Sequence, residues 1–493
     1  MSVAGSLLLL RDTVHPLIHQ TKILFQGDRT MVRRLFRSVI LLCLVSCPPL
    51  ASSWAAEKPS DELIQMIIKL IGDSDREFRA AGLEKVRTAA KGASATQTFA
   101  AQLTKLDAAG QVALLSALAD RGDATARQPI LELCASSSDE QVRAAAIAAL
   151  GSLGTPADLP LLIKSLSATS SVEQAAARRS LVLISGTTIA KTLATELKSA
   201  PPAVKASLIE VLATRRASDE IPAFISASTD ENSQVRGAGM AALGQLARPE
   251  NIAAMLPGVL KAERGGERDS AEKNVALVCS RIENEEQRGK SVIEAIKSVP
   301  EADRDELFPL VGRVGGKTLI DFVAGIATSS DPARRRIGID ALSKWPDASV
   351  ADKLLEIINK STDAAERHQA FQAFVKTCST RDNRNDKQRL ERMKEAMTLA
   401  QTPDEKTLVI NRTRTAYDVE SMRFVLPYVD QADFSQIACE TVVEIAHHRN
   451  VRDPNKAEFD VALDKVIEIS KDPVVVDRAQ RYKRGETWER PKK

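Results

Sequence analysis

Beyond residue 55 the sequence keeps three histidines, His368, His447 and His448, and four cysteines, Cys134, Cys279, Cys378 and Cys439. Structural or catalytic metal sites draw on Cys-x-x-Cys or His-x-x-x-His spacing, which none of these residues provides. The cysteines sit singly in apolar stretches, where a small buried hydrophobe is the expected role; an oxidising compartment would also permit a disulfide. His447-His448 could hold a metal together with distant ligands, but a solvated helix end, where cations favour the dipole, accounts for the pair. Gly315-Gly316-Lys317-Thr318 has the ending of a phosphate-binding loop, yet the glycine required earlier falls on Val311 and no strand precedes it. A turn between helices explains these glycines, and nucleotide binding is excluded. No catalytic, cofactor-binding or metal-ligating residue is assigned, and no cofactor is expected.

Two basic clusters remain. Arg381, Arg384, Lys387, Arg389, Arg392 and Lys394 alternate with Asp382, Asp386 and Glu391, the pattern of a solvated helix with ion pairs. Arg478, Arg481, Lys483, Arg484, Arg490, Lys492 and Lys493, with Tyr482 and Trp488, read as a basic tail over 476–493. A frayed terminus is expected there, with contact to an anionic surface as its alternative.

The elements that carry these side chains repeat. Ser138 to Gly151 and Thr155 to Ile163 form a pair of short amphipathic helices. The pattern Val142-Arg143-Ala144 with Leu159-Pro160 returns 62 residues later as Val204-Lys205-Ala206 with Ile221-Pro222. Gln141-Val142-Arg143 and Ala149-Leu150-Gly151 return after 93 residues as Gln234-Val235-Arg236 and Ala242-Leu243-Gly244. Both offsets are multiples of 31, Glu173 to Gly186 fills the missing slot, and Ser330 to Leu342 repeats the pattern at offset 192. A period of helix pairs marks a solenoid, in which each unit buries its apolar face only against its neighbours.

Val142, Ala145, Ala146, Ala149, Leu150 and Leu153 share one helical face, and Leu159, Leu162, Ile163 and Leu166 share another. Alanine lets axes approach closely and leucine fills the space between them. Val235, Leu243 and Leu246 are expected to be buried. Thr155-Pro156 and Thr402-Pro403-Asp404-Glu405 are helix starts, the second with a capping box. Gly151 and Gly244 are expected to be left-handed stops.

These residues resemble the HEAT-repeat family, and the spacing is similar to the short HEAT-like repeats named after phycobilisome lyases. The resemblance rests on Asp139, Val142, Arg143, Ala149, Leu150 and Gly151 and their counterparts near 235 and 335. It is clear over 139–261 and fair over 331–360. It implies polar ladders between stacked repeats made by the Asp and Arg, so Arg143, Arg236 and Arg335 are structural. Asn232, Lys205 and Ser343 depart from the pattern. The expected fold is all-α, a right-handed α-solenoid of stacked antiparallel helix pairs.

Composition agrees with this. Of 493 residues 44% are hydrophobic but only 4% aromatic, so alanine and leucine must do the packing, as in stacked helices. The start carries an address. Met31-Val32-Arg33-Arg34-Leu35-Phe36-Arg37 is a basic segment, Val39 to Val45 an apolar run too short to span a bilayer, and Ser53-Trp54-Ala55 a signal-peptidase site. Residues 1–55 therefore read as a signal-peptide region, with Met31 as the true start and cleavage before Ala56. Leu44-Val45-Ser46-Cys47 resembles a bacterial lipobox, and a lipid anchor at Cys47 is the competing reading. Residues 1–55 contain six of the 68 Lys/Arg and two of the 65 Asp/Glu, so the remainder is close to neutral. That is no footprint for nucleic acid.

A continuous solenoid is expected over 56–475, with a soft joint at Glu263-Arg264-Gly265-Gly266-Glu267 and no transmembrane segment in the mature chain. The expected role is a non-catalytic exported scaffold or adaptor, periplasmic or extracellular. It would hold a protein or peptide on a concave face built from helices such as 156–168, 218–228 and 249–262. The family resemblance also implies an alternative, a lyase acting on bilin chromophores or another enzyme such as a DNA glycosylase. Both act inside the cell, and the paucity of aromatics argues against base stacking.

Overall fold

Four short polar side chains start first helices in the same way. Asp139 accepts hydrogen bonds from the N–H groups of Gln141 and Val142 at 2.8 and 3.1 Å, and Asn232 does the same for Gln234 and Val235 at 3.0 and 3.3 Å. Asp331 caps Ala333 at 2.8 Å, and Asp363 caps Ala365 and Glu366 at 2.8 and 3.0 Å. Each satisfies N–H groups that a helix leaves without an internal partner. The Asp of the repeat thus caps its own helix and makes no ladder, and Asn232 serves equally well. The computed structural model describes residues 61–488. The signal-peptide region, Cys47 and the last five residues lie outside the described residues.

Among the described residues every regular element is helical. First helices Glu140–Leu153, Ser171–Leu183, Pro202–Thr214, Ser233–Leu246 and Gly266–Cys279 stack side by side in succession. Second helices Leu159–Ser165, Ile189–Glu196, Ile221–Ala227 and Ile252–Lys261 each pack on the first helix of the next repeat. The stack continues through Phe308–Val314, Pro332–Ser343, Ala364–Ser379, Pro403–Thr413 and Ser435–Ala446. The fold is an α-solenoid of helix pairs. Its core runs along the stack and is filled mainly by Leu, Ile, Val and Ala, with Val142, Leu150, Val235 and Leu243 buried. Leu246 is only half-buried.

Several expectations are corrected. Gly151 and Gly244 lie inside helices Glu140–Leu153 and Ser233–Leu246 and do not stop them. Their role is close approach: a Cβ on Gly151 would stand 3.1 Å from Ser180 Cα, and one on Gly244 would strike Asn274. A left-handed stop occurs instead at Gly122, φ 73°, after helix Ala108–Arg121, while Gly315 and Gly316, φ 65° and 102°, link Phe308–Val314 to Lys317–Ala327. At Thr402 the capping box is half formed. The Thr402 hydroxyl accepts from Glu405 N–H at 3.2 Å, but the Glu405 carboxylate turns to the N–H of Gln401 at 2.7 Å.

The 381–394 cluster makes its expected ion pairs, Arg384–Asp382 at 2.8 Å, Arg389–Asp386 at 2.7 Å and Lys394–Glu391 at 2.9 Å, and keeps Arg381 and Lys387 exposed, but it is not solvated throughout. Arg389 is buried, donating to Asp386 at 2.7 Å and to the Asp382 carbonyl at 3.0 Å. The guanidinium of Arg381 lies 4.2 Å above the Tyr417 ring. The boundary placed between 475 and 476 falls inside helix Pro473–Lys483, which buries Val475, Ala479 and Tyr482. Its Arg478 pairs with Glu444 at 2.7 Å, and its Tyr482 hydroxyl lies 2.8 Å from Nδ1 of His447. Charge dominates this stretch in sequence, but three apolar positions at helical spacing suffice to dock it.

Candidate functional site

Arginines fix the distance between repeats and so set the surface available for binding. Arg143 reaches back to the carbonyls of Ser137 and Ser138 at 3.1 and 2.9 Å and forward to Glu173 at 2.6 Å. Arg236 repeats this with Asp230, Glu231 and Glu267, at 3.1, 2.8 and 2.7 Å. Arg335 repeats it again with Ser329 and Ser330, both at 3.1 Å, and Glu366 at 2.7 Å. The ladder therefore exists, and its acid is a Glu of the next first helix. Sequence reading missed Glu173, Glu267 and Glu366, although each follows its arginine by nearly one period.

A second set of arginines closes helix C-termini from the following repeat. Arg121 donates to the carbonyls of Val86, Ala89 and Ala90, Arg215 to Leu181, Val182 and Ile184, and Arg281 to Gly244, Gln245 and Ala247. The last carbonyls of a helix lack internal partners and carry partial negative charge, so a guanidinium fork suits them.

Lys205 stands where the ladder would have an arginine. Its shorter reach ends on Asp230 at 3.1 Å. The Asn232 N–H and Lys205 hold the Asp230 carboxyl below the usual aspartate range. This pair forms one wall of a cavity of about 620 Å³ on the second-helix side. Ala194, Leu197, Ile209, Pro222, Ala223 and Val235 give an apolar lining, while Lys191, Lys198 and Glu220 bring charge to it. Lys191 and Lys198 are exposed and have no partner among the described residues. An apolar lining with a few polar groups is the usual form of a ligand groove. Of the three helices expected to make contact, the groove uses 218–228; its lysines come from Ile189–Glu196 and the turn after it.

A second cleft, about 430 Å³, lies among first helices and is lined by Arg264, Arg268, Asp305, Glu306, Arg336 and Lys344, among others. Pro309 explains the opening. In a continuous helix its ring would strike the carbonyl four residues back, so the chain breaks into Glu301–Arg304, a tight turn at Asp305–Leu307 and Phe308–Val314. The shortened helix leaves space between Gly266–Cys279 and Pro332–Ser343. The expected soft joint at 263–267 borders this cleft but is held by Glu263 and Glu267 on Arg236. Glu272, 2% exposed, lies at its base beside Arg313 at 2.8 Å and Lys344 at 3.4 Å. Burial pushes the Glu272 carboxyl above the usual range despite Lys344 and Arg268.

The remaining chemistry-bearing residues are engaged in packing. His368 lies 3.0 Å from the buried Glu405, which Arg367 also holds at 3.0 Å. Burial alone would raise the Glu405 carboxyl, but the Gln401 N–H, His368 and Arg367 keep it below the usual range. The His448 ring lies 3.6 Å from that of Tyr417, and burial, with His447 and Arg381 nearby, lowers its pKa. All four cysteines are free and buried; burial pushes the Cys279 and Cys378 thiols up to about 12 and Cys439 to about 11. Such thiols are poor nucleophiles at neutral pH. Among the described residues no group of three or more His, Cys, Asp or Glu is arranged to hold a metal ion.

Residues 96–182 and 190–276 match the family model for HEAT repeats, a span that begins well before the clearest copies in the sequence. No curated protein matches the chain. Among solved structures, Kap121p is similar at 12% identity and TM-score 0.45, over 86% of this chain and 52% of that one. Kap121p bound to Nup53p gives 12% and 0.47 over the same shares, and importin beta in an ammonium sulfate condition gives 12% and 0.34 over 85% and 72%. The chain thus spans about half the length of Kap121p. With the family-model match, the stacked pairs and the recurring Arg–Glu ladder together, residues 96–182 and 190–276 resemble HEAT repeats, within an α-solenoid.

Proposed function

We propose that this solenoid is a non-catalytic scaffold or adaptor, exported from the cytoplasm, that holds a protein or peptide partner along its second-helix side. The observation that carries the reading is the groove between Ile189–Glu196 and Ile221–Ala227, apolar within and bordered by the unpaired Lys191 and Lys198. Its lining belongs to several successive helices, so an extended segment crossing repeats meets more surface than a compact ligand does. Apolar side chains of the partner would enter between Leu197 and Pro222, and acidic ones would meet the lysines. Photo-crosslinking from Ala223 inside this groove tests the reading.

Export rests on the basic and apolar segments before Ser53-Trp54-Ala55. Among the described residues no helix is long and apolar enough to cross a membrane. Mass spectrometry of the N-terminal peptide from native material is expected to find Ala56. A lipid-modified peptide starting at Cys47 would replace the free periplasmic or extracellular protein by an envelope-anchored one, since each buried CH₂ of an acyl chain adds about 0.8 kcal/mol of membrane affinity. A retained Met31 would refute export.

A further inference from the structure

The first helices from Phe308–Val314 to Pro403–Thr413 carry a cation near each C-terminal end: Arg313, Lys344, Lys376 and Arg412. Consecutive helices of this series pack on one another, so the four cations follow one another along the same end of the stack. Partial dehydration first, and then Arg313, Lys344 and Arg412, hold the Lys376 ammonium below the usual lysine range, with Asp340 opposing them.

The carboxylates that balance this row sit at its first end. Arg313 is paired with Asp269 and with Glu272, the latter at 2.8 Å, and Lys344 lies 3.4 Å from Glu272 and 3.3 Å from Asp340. Lys376 and Arg412 are exposed, and neither side chain has a hydrogen-bond or ion-pair partner among the described residues. One first helix further on, Glu444 is engaged by Arg478 at 2.7 Å. The row thus begins with paired cations and ends with two whose side chains have no ion-pair partner among the described residues. Like charges fixed together repel, and an external anion that joins them relieves that repulsion.

We propose that Lys376 and Arg412 receive carboxylate side chains from an acidic segment of a protein partner laid across the first helices. A peptide suits the charge distribution better than a phosphate polymer. Phosphates at short, regular intervals continuing along the row would run onto the partly exposed Asp340, whereas a peptide can place its acids only where the cations are free. This face shares no residue with the second-helix groove, and the proposal stands whether or not that groove is occupied.

The test is fluorescence anisotropy with a labelled oligo-glutamate peptide and the full chain. Lys376→Ser with Arg412→Ser breaks no side-chain hydrogen bond or ion pair among the described residues, and unchanged circular dichroism and melting confirm its fold. We expect the peptide to bind the parent protein, to be released by salt, and to bind the double variant about ten-fold more weakly. Lys85→Ser with Lys105→Ser, exposed cations outside both the row and the groove, should leave this affinity unchanged, which separates the row from surface charge in general. Absent binding, or equal affinity for parent and double variant, would leave the row a helix-terminus role only and overturn the proposal. A single-stranded oligonucleotide that binds as tightly and is lost in the same variant would overturn it in favour of a phosphate polymer.

Discussion

Leu243→Ala is expected to lower local stability by roughly 2–5 kcal/mol, the range for removing a buried leucine and leaving a cavity. Leu243 is fully buried in helix Ser233–Leu246, which packs between Pro202–Thr214 and Gly266–Cys279. Alanine-rich helices packed at close range cannot collapse far into the space, because their backbones already touch. In a solenoid each repeat contacts only its neighbours, so the damage should stay near the site. Hydrogen exchange followed by mass spectrometry should show lost protection over 202–279, with 93–121 and 435–469 unchanged. Equal loss at both ends would show that the chain unfolds as one unit.

Arg236→Met should cost about 2–3 kcal/mol by removing three roles of one side chain at once. Arg236 is buried, and it satisfies the carbonyls of Asp230 and Glu231 while pairing with Glu267 of the next first helix. Methionine fills similar volume but leaves the carbonyls and the carboxylate unmatched. The cost stays below that of a fully buried pair because the Glu267 side chain keeps 19% of its surface exposed. Glu267→Gln on the same background should recover part of the loss, as a neutral amide is easier to leave unpaired. The pair also gives a pH signature. Hydrogen bonding from Arg236 holds the Glu267 carboxyl below its ordinary value of 4.5. Its contribution is therefore present above that value and fades as pH falls through the lower, folded-state value. Thermal melts of parent and variant should converge towards acid and diverge near neutrality.

The repeat and its period are legible in the sequence because apolar spacing and recurring motifs are local signals, whereas the structural role of Arg143, Arg236 and Arg335 comes only from the family resemblance. The partners of those arginines are not local: Glu173, Glu267 and Glu366 lie on the next helix, and only stacking brings them into range. A period-wide comparison of charged residues would reveal them. Arg121, Arg215 and Arg281 escape notice for the same reason, since a sequence shows a cation but not whose carbonyls it closes. Gly151 and Gly244 read as helix stops because glycine is permissive in both settings, and only the distance to Ser180 and Asn274 shows that space is what matters. The break at Pro309 was visible as a residue, but the cleft it opens depends on the lengths of the two flanking helices. Of the groove, helix 218–228 is legible from the repeat, whereas Lys191 and Lys198 carry no local mark that separates them from other surface lysines.

Site-specific photo-crosslinking in native material tests the scaffold reading most directly. A photoreactive residue at Ala223 lies in the second-helix groove, and one at Ala241 lies on the outer side of helix Ser233–Leu246. The account predicts that Ala223 yields adducts mapping to one contiguous segment of one protein, carrying apolar and acidic residues, and that Ala241 does not. No adduct from Ala223, or the same adducts in equal yield from both positions, would contradict it.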